Sequence, residues 1–348
     1  MLKLVDTSSL ILLVSFAIIL SLLLNLIIAK LYAKNGFFDQ INERSSHKNL
    51  ATRTGGVAIF ISLTIITLLL YWKDFQIFDF SILLPISIII LIGVYDDLYN
   101  MDFKFKLLFT FILAKILIDQ GFVLQSFYLF NGQYEPNYFI AQIITGITLV
   151  GVINSINLMD GIDGLSSGFC FLVLNLINVM FRDFELYFFN LIVLGLLFPQ
   201  LILNFKNHNK VFLGDSGSLF LGTILAINFF TIIKPTTVFN FDIDPNKILF
   251  SWLVLFFPLA DLLRLFYQRT KKRLNPFSPD KNHLHHIIIN RGYSHIKATL
   301  MVLGATVTNV LFGFIFWKIA DEVGLLFYLL SSTFLYVFYF QKNLFTRS

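Results

Sequence analysis

Long apolar runs, separated by short polar segments, organise the whole chain. A transmembrane helix needs roughly 20 mostly apolar residues, whereas strands of a membrane barrel alternate over about 10 residues. The runs are continuous, so they predict an all-α, polytopic integral membrane protein with about eleven transmembrane helices in a single domain, residues 1–348. They lie near residues 8–30, 54–71, 80–95, 105–120, 138–155, 164–181, 185–203, 217–234, 248–267, 298–318 and 323–341.

The composition supports a membrane protein. Hydrophobic residues make up 57% of the chain, aromatic residues 17% and charged residues only 14%. Soluble domains average about 25% charged residues, so a chain of several soluble domains is excluded. The single cysteine, Cys170, excludes an intrachain disulfide and argues against a cysteine-based metal site.

Basic residues are concentrated on one of the two sides that the predicted helices define. Cytoplasmic loops carry an excess of Lys and Arg, so this side is predicted to face the cytoplasm, with the N-terminus outside. Topology then accounts for most of the net charge of +5, and nucleic acid is not an expected partner. The predicted cytoplasmic loops are about 31–53, 96–104, 156–163, 204–216 and 268–297.

An adjacent pair of carboxylates, Asp96 and Asp97, follows the third apolar run, and Lys104 and Lys106 come shortly after it. Two neighbouring acids at the end of an apolar helix repel each other unless a cation neutralises them. The pair therefore indicates a Mg²⁺ site or a group that handles a phosphate proton, with the lysines attracting anions. A solvated helix end is the alternative interpretation.

A second cluster spaces polar residues every three positions, which places them on one drifting stripe of a helix. Gly161 and Gly164 allow the chain to break or to approach another backbone closely. The density of amides and carboxylates suits recognition of a nucleobase, ribose or sugar, although Asn and Asp also link and cap membrane helices. The members are Asn154, Asn157, Asp160 and Asp163.

A third cluster, Val211 to Ser218, contains Asp215 between two glycines at the start of a helix. One interpretation is a simple N-cap, because Asp and Ser accept the free backbone N–H groups of a helix start. The glycines also let a diphosphate and its metal approach the backbone, and Mg²⁺ commonly binds an Asp together with phosphate oxygens and water.

Three histidines lie in a strongly basic segment, which favours an anion such as phosphate over a zinc ion. Basic anchoring at the membrane surface is the alternative for the Lys and Arg residues there. In the first loop, His47 and Arg53 give a weaker signal of the same kind, and Asp261 is expected to pair with Arg264 or Arg269. The histidines are His283, His285 and His286.

Together these clusters provide carboxylates for Mg²⁺, amides for a nucleotide and cations for phosphates. Enzymes that catalyse phosphoryl transfer use this set of groups. Their order resembles that of the polytopic polyprenyl-phosphate N-acetylhexosamine-1-phosphate transferases of glycosyltransferase family 4, over roughly residues 30 to 295. The motifs are Asp96-Asp97 with Lys104 and Lys106, Asn154-x-x-Asn157-x-x-Asp160-Gly-Ile-Asp163-Gly, Phe212-Leu-Gly-Asp215-Ser-Gly-Ser and Pro276-Phe-Ser-Pro-Asp-Lys-Asn-His283-Leu-His285-His286.

The resemblance implies transfer of a sugar-1-phosphate from a UDP-N-acetylhexosamine to undecaprenyl phosphate, with release of UMP, at the start of cell-envelope polysaccharide synthesis. It implies Mg²⁺ as cofactor, with Mn²⁺ as an alternative ion, and a site on the cytoplasmic face of the bacterial inner membrane. Membrane lipid is a further expected partner, and a homodimer is left open.

The resemblance also implies roles for individual residues. Asp215 would be the main Mg²⁺ ligand, while Asp96 and Asp97 would contact the metal region and the lipid phosphate, with Asp96 the candidate to deprotonate that phosphate. The remaining residues would bind substrate: Asn154, Asn157, Asp160 and Asp163 at the nucleoside and sugar, Phe212 near uracil, and Lys104, Lys106, His47, His283, His285 and His286 at the phosphates.

Two alternatives remain. The spaced histidines resemble the branch that uses UDP-GlcNAc, whereas three consecutive histidines are typical of the phospho-N-acetylmuramoyl-pentapeptide transferases of peptidoglycan synthesis. A transporter of a phosphorylated solute is the competing class, but transporters place ionisable residues near the midplane and often contain internal repeats. Here the acids fall at helix ends and no repeat is evident.

Overall fold

The computed structural model describes residues 7–38, 51–124, 127–129, 132–181, 185–206, 208–233, 245–275 and 282–345. Helices make up most of these residues, and the strands are only three residues long. The helices are α1 (Thr7–Lys34), α2 (Gly55–Trp72), α3 (Leu83–Tyr99), α4 (Phe103–Asp119), α5 (Tyr138–Met159), α6 (Leu165–Met180), α7 (Tyr187–Asn204), α8 (Gly214–Ile232), α9 (Pro245–Lys271), α10 (Leu284–Asn290) and α11 (His295–Phe345). The strands are β1 (Ala51–Arg53), β2 (Phe127–Leu129), β3 (Gly132–Tyr134) and β4 (Lys210–Phe212).

The prediction of an all-α, polytopic membrane protein is confirmed. Across the described ranges, eight helices are long and apolar enough to cross a membrane, and α6 is apolar but shorter. A helix satisfies its own backbone hydrogen bonds, which is why an apolar run forms one in lipid. The eight are α1, α2, α3 with the short 3₁₀ turn before it, α5, α7, α8, most of α9 and the first part of α11.

The C-terminal part differs from the sequence prediction. The predicted runs 298–318 and 323–341 lie in one continuous helix, α11, of 51 residues. The intervening segment, Ile-Ala-Asp-Glu at 319–322, contains neither Gly nor Pro, so nothing in it breaks the helix. The seven-residue helix α10 was also not predicted, because it is too short to show a helical period.

The chain forms two compact units, Met1–Val123 with Thr145–Thr231 and Leu124–Ile144 with Ile232–Ser348. In the first, the Ser21 hydroxyl on α1 donates to the carbonyl of Leu196 on α7 at 2.6 Å. In the second, the Asn309 amide on α11 donates to the carbonyl of Leu253 on α9 at 2.8 Å. The single domain stays a prediction.

Glycines let three helices of the first unit meet backbone to backbone at the start of α8. A Cβ on Gly56 of α2 would lie 2.2 Å from the Gly217 nitrogen, and one on Gly93 of α3 would lie 2.3 Å from the Ser216 Cα. Real Cβ contacts are never that short, so side chains at these positions would push the helices apart. The two glycines therefore fix how closely α2 and α3 approach α8.

A short parallel strand pair joins two segments that are far apart in sequence. Strand β1 pairs with β4, with Ala51 opposite Lys210 and Arg53 opposite Phe212. The pairing continues into the next turn, where the Gly56 N–H donates to the Leu213 carbonyl at 2.9 Å. The end of the first predicted loop is thereby fixed beside the Phe-Leu-Gly-Asp motif.

Candidate active site

A lysine ammonium group lies between the carboxylates of Asp96 and Asp215. Lys106, in the first turns of α4, forms an ion pair with Asp96 at the end of α3 and another with Asp215 at the start of α8, the second at 2.9 Å. The side chain of Lys106 is 12% exposed, that of Asp96 7% and that of Asp215 27%. Asp215 is therefore the carboxylate most open to a ligand.

Asn157, near the end of α5, completes this group. Its amide nitrogen donates to Asp215 Oδ1 at 2.5 Å and to the Ser218 hydroxyl at 2.8 Å, while its carbonyl oxygen lies 3.5 Å from Lys106 Nζ. Oxygen atoms of Asp96, Asp215 and Asn157 thus converge on one positive charge. The site brings together four residues of the first unit, each from a different helix.

Local backbone geometry directs Asp96 into this group. Helix α3 ends at Asn100, which has a left-handed conformation with φ of 52°. Asn tolerates this region better than most residues, so it allows the chain to turn sharply. The turn brings the N–H of Met101 to within 2.7 Å of Asp96 Oδ1, which holds the carboxylate with its other oxygen toward Lys106.

Asp97 faces a different partner, the backbone at the start of α8. Its Oδ1 accepts from the Asp215 N–H at 2.8 Å, and its Oδ2 accepts from the Ser216 N–H at 3.0 Å. Arg53 Nη1 lies 3.9 Å from Asp97 Oδ1. The two adjacent acids of the motif therefore have different surroundings.

The polar stripe predicted along one helix is divided between a helix and a loop. Helix α5 ends at Met159, so Asn154 and Asn157 are helical, whereas Asp160 and Asp163 lie in the turn that follows. Burial raises the pKa of Asp160 well above its usual range, and the negative charges of Asp215 and Asp97 act in the same direction. Asp160 is thus electrostatically linked to the carboxylates of the site.

A lysine that the sequence interpretation did not single out pairs with Asp163. Lys210 Nζ on β4 lies 2.6 Å from Asp163 Oδ2 and 5.4 Å from the centre of the Phe212 ring. The lysine side chain is 9% exposed, so the pair is largely shielded from water. Its position two residues before Phe212 was the signal that the sequence offered.

Asn204 ties the turn after α5 to β4. Its carbonyl oxygen accepts from the Gly164 N–H at 2.5 Å, and its amide nitrogen donates to the Val211 carbonyl at 3.0 Å. Gly164 has a φ of 68°, and a Cβ there would lie 2.1 Å from the Phe205 ring. Gly164 therefore allows the chain to turn sharply after α5, and its close neighbour is the Phe205 ring and not another backbone segment.

Three of the predicted binding residues that precede α6 are not seen in contact with this group. Asn154 is buried, and its amide donates within α5 to Val150 at 2.8 Å and across to Thr110 at 3.5 Å. Lys104 is exposed in the first turn of α4. His47 lies outside the described residues, and the roles of all three stay predictions.

In the second unit, the histidine segment is anchored by Asp261. The Asp261 carboxylate contacts His283 Nδ1 at 3.0 Å and accepts from Arg264 Nη2 at 2.7 Å. The same carboxylate accepts from the N–H of Leu284 at 3.3 Å from each oxygen. The expected pairing of Asp261 with Arg264 is confirmed.

His285 is buried beside the other two histidines. Its ring stacks on His283 at a centroid distance of 5.6 Å and lies 4.3 Å from His286. Burial lowers the pKa of His285 well below its usual range, and the nearby histidines act in the same direction. His285 is therefore neutral at pH 7.

Comparisons with known proteins agree with these features. Residues 79–233 match the model of glycosyl transferase family 4. A Bacillus subtilis protein named "Probable undecaprenyl-phosphate N-acetylglucosaminyl 1-phosphate transferase" is 30% identical over 86% of this chain and 82% of its own length. Undecaprenyl-phosphate alpha-N-acetylglucosaminyl 1-phosphate transferases from Thermotoga maritima and Escherichia coli K12 are 30% and 26% identical, over 77% and 78% of this chain and 78% and 74% of their own lengths.

The matches extend over most of the chain and include the segments that carry the site. They confirm the resemblance that the four motifs indicate. The chain therefore belongs to glycosyl transferase family 4.

Proposed function

We propose that this enzyme transfers GlcNAc-1-phosphate from UDP-GlcNAc to undecaprenyl phosphate, giving a lipid-diphosphate sugar and UMP. The names of the relatives support the transferred group and the lipid acceptor. The observation that carries the proposal is the convergence of Asp96, Asp215 and Asn157 oxygens on the Lys106 ammonium group. These oxygen atoms stabilise a positive charge, and phosphoryl transfer requires positive charge to neutralise the phosphates.

The donor set fits Mg²⁺. Mg²⁺ prefers oxygen ligands and usually takes one or two carboxylates, with phosphate oxygens and water completing its shell. In the part of the chain that the structure describes, no group of three or more His, Cys, Asp or Glu side chains could hold an ion. We infer that Asp215 would hold Mg²⁺, with Asp96 and Asn157 beside it, and that the ion would neutralise phosphate charge.

In the proposed reaction, an oxygen of the lipid phosphate attacks the sugar-bearing phosphorus of the UDP-sugar. The bond from that phosphorus to the oxygen bridging the two phosphates breaks, and UMP leaves with the electron pair. Asp96 is the proposed acceptor for a proton of the lipid phosphate. Lys106 would hold the phosphate oxygens, because its ammonium group already lies between the two acids.

We propose that the nucleoside lies near Asp163 and Phe212. Lys210 neutralises Asp163 and lies over the Phe212 ring, so the charge of Asp163 itself does not repel the diphosphate. The site segments belong to the basic side of the sequence, which supports a cytoplasmic location in the bacterial inner membrane. The spaced histidines support the GlcNAc branch.

The test is release of UMP by purified protein supplied with Mg²⁺, undecaprenyl phosphate and a panel of UDP-sugars. We expect release with UDP-GlcNAc, and none when EDTA replaces Mg²⁺. Asp215→Asn serves as the inactive control. Absence of UMP with every UDP-N-acetylhexosamine would refute the proposal. A preference for UDP-MurNAc-pentapeptide would instead assign the protein to the peptidoglycan branch of the family.

A further inference from the structure

The neighbouring acids Asp96 and Asp97 are held by different groups. Asp96 faces the Lys106 ammonium, whereas both oxygens of Asp97 face backbone N–H groups of α8. The side chain of Asp97 is 6% exposed, compared with 27% for Asp215. Asp96 is equally buried, with its side chain 7% exposed, so what distinguishes Asp97 is that both its oxygens face the start of α8.

The first N–H groups of a helix have no partner within the helix, and a carboxylate that accepts them stabilises the helix start. A capping residue normally belongs to the same chain segment. Here the capping carboxylate comes from α3, 118 residues before the N–H of Asp215 that it accepts. Bonds to an ionised carboxylate are stronger than neutral ones.

Gly214 provides the space for this contact. It has a φ of 76°, and a Cβ there would lie 2.7 Å from Asp97 Oδ2 and 3.0 Å from Oδ1. Gly93, one turn before Asp97 on α3, brings that helix against the Ser216 backbone in the same way. Both glycines therefore favour the close approach of the Asp97 carboxylate to α8.

We propose that Asp97 is a positioning residue that caps α8 from another helix and thereby fixes the backbone that carries Asp215, and that it is not a metal ligand. This differs from the metal contact expected from the sequence. The proposal rests on the proposed function, because Asp97 can position Asp215 for catalysis only if Asp215 holds Mg²⁺ in the reaction. The side chain of Asp215 keeps separate anchors in Lys106 and Asn157.

The test compares Asp97→Asn with Asp96→Asn in the purified full-length protein. In Asp97→Asn an NH₂ group replaces one acceptor, so a cap bond and the charge are both lost. We expect the melting temperature in EDTA to fall by about 1–3 °C. Magnesium affinity, measured from the Mg²⁺-dependent rise of that temperature, should weaken less than tenfold.

The same variant should show a kcat about tenfold lower, with an unchanged KM for the UDP-sugar, when assayed well below its melting temperature. A purely structural cap would leave kcat unchanged. Asp96→Asn is the contrast, because its carboxylate faces Lys106, so it should weaken Mg²⁺ binding more than Asp97→Asn does. An unchanged melting temperature in EDTA, an unchanged kcat, or Mg²⁺ affinity weakened tenfold or more in Asp97→Asn would each overturn the proposal.

Gly214→Ala provides a second route if Asp97→Asn does not fold. Its Cβ would displace the Asp97 carboxylate, so it should lower both the melting temperature in EDTA and kcat. The double variant should lose little more than either single variant, since both remove one contact. Full additivity would contradict the cap. The EDTA measurements do not depend on turnover, so they stand even if the wild-type protein releases no UMP and the proposed function fails.

Discussion

Replacing Lys106 by Met tests whether its ammonium group stands where a metal cation would bind. Met keeps much of the apolar stem and removes the charge. The ammonium contacts Asp96 and Asp215, and all three side chains are at least partly buried. Removing one partner of a buried ion pair costs about 3–5 kcal/mol, and the partial exposure of Asp215 favours the lower end of this range.

A loss of about 3 kcal/mol corresponds to a fall of roughly 4 °C in melting temperature for a chain of this size, because the unfolding entropy grows with chain length. We therefore expect this fall for Lys106→Met in EDTA. Mg²⁺ should restore much of the lost stability, because the same oxygen atoms are then free to bind it. Its affinity should rise at least tenfold, or about 1.4 kcal/mol, since a competing positive charge is gone.

The assay is a melting-temperature titration with Mg²⁺ in the absence of substrate, from which the Kd follows by linkage. Lys115→Met is the matched control on the same helix. Lys115 is exposed and pairs with the exposed Asp119, so its loss should change neither quantity. An unchanged melting temperature of Lys106→Met in EDTA, or Mg²⁺ binding no tighter than in the wild type, would refute the reasoning.

Three further predictions concern single residues. Asp215→Asn should abolish UMP release while circular dichroism shows a folded protein; normal turnover would remove Asp215 as the metal ligand. Asp261→Ala should lower the melting temperature strongly, because it leaves Arg264 buried and unneutralised; a change no larger than that of the exposed Asp119→Ala would contradict this. The free energy of unfolding of the wild type should fall as the pH drops below about 6.5. In the unfolded chain His285 then binds a proton, whereas in the folded protein its lowered pKa keeps it neutral. His285→Gln should show a smaller fall between pH 7.5 and 5.5, and an equal fall would disprove the assignment.

Much of the fold could be predicted from the sequence. Apolar runs long enough to cross a membrane form helices because lipid offers no partner for backbone N–H and C=O groups. The prediction was wrong for the last two runs, which form the single helix α11. A short polar segment interrupts the hydropathy profile and so suggests a loop. Without Gly or Pro, however, it contains no residue that ends a helix.

The site was predictable in its chemistry and less so in its arrangement. The clustering of Asp96, Asn157 and Asp215 in short motifs was visible because charges are scarce in this chain. Lys210 was missed because a lone lysine on a basic side has an ordinary explanation as a membrane anchor. Only its contact with Asp163 shows its second role.

The sequence by itself determined the helices, the basic side and the types of residue available for chemistry, because these follow from local composition and spacing. Only the tertiary structure decided that Lys106 lies between Asp96 and Asp215, and that Asp97 caps a helix 118 residues away. Such pairings depend on how helices pack and on where glycines allow close approach. Two adjacent acids are equivalent in a motif, but side chains at successive helix positions point in different directions and therefore meet different partners.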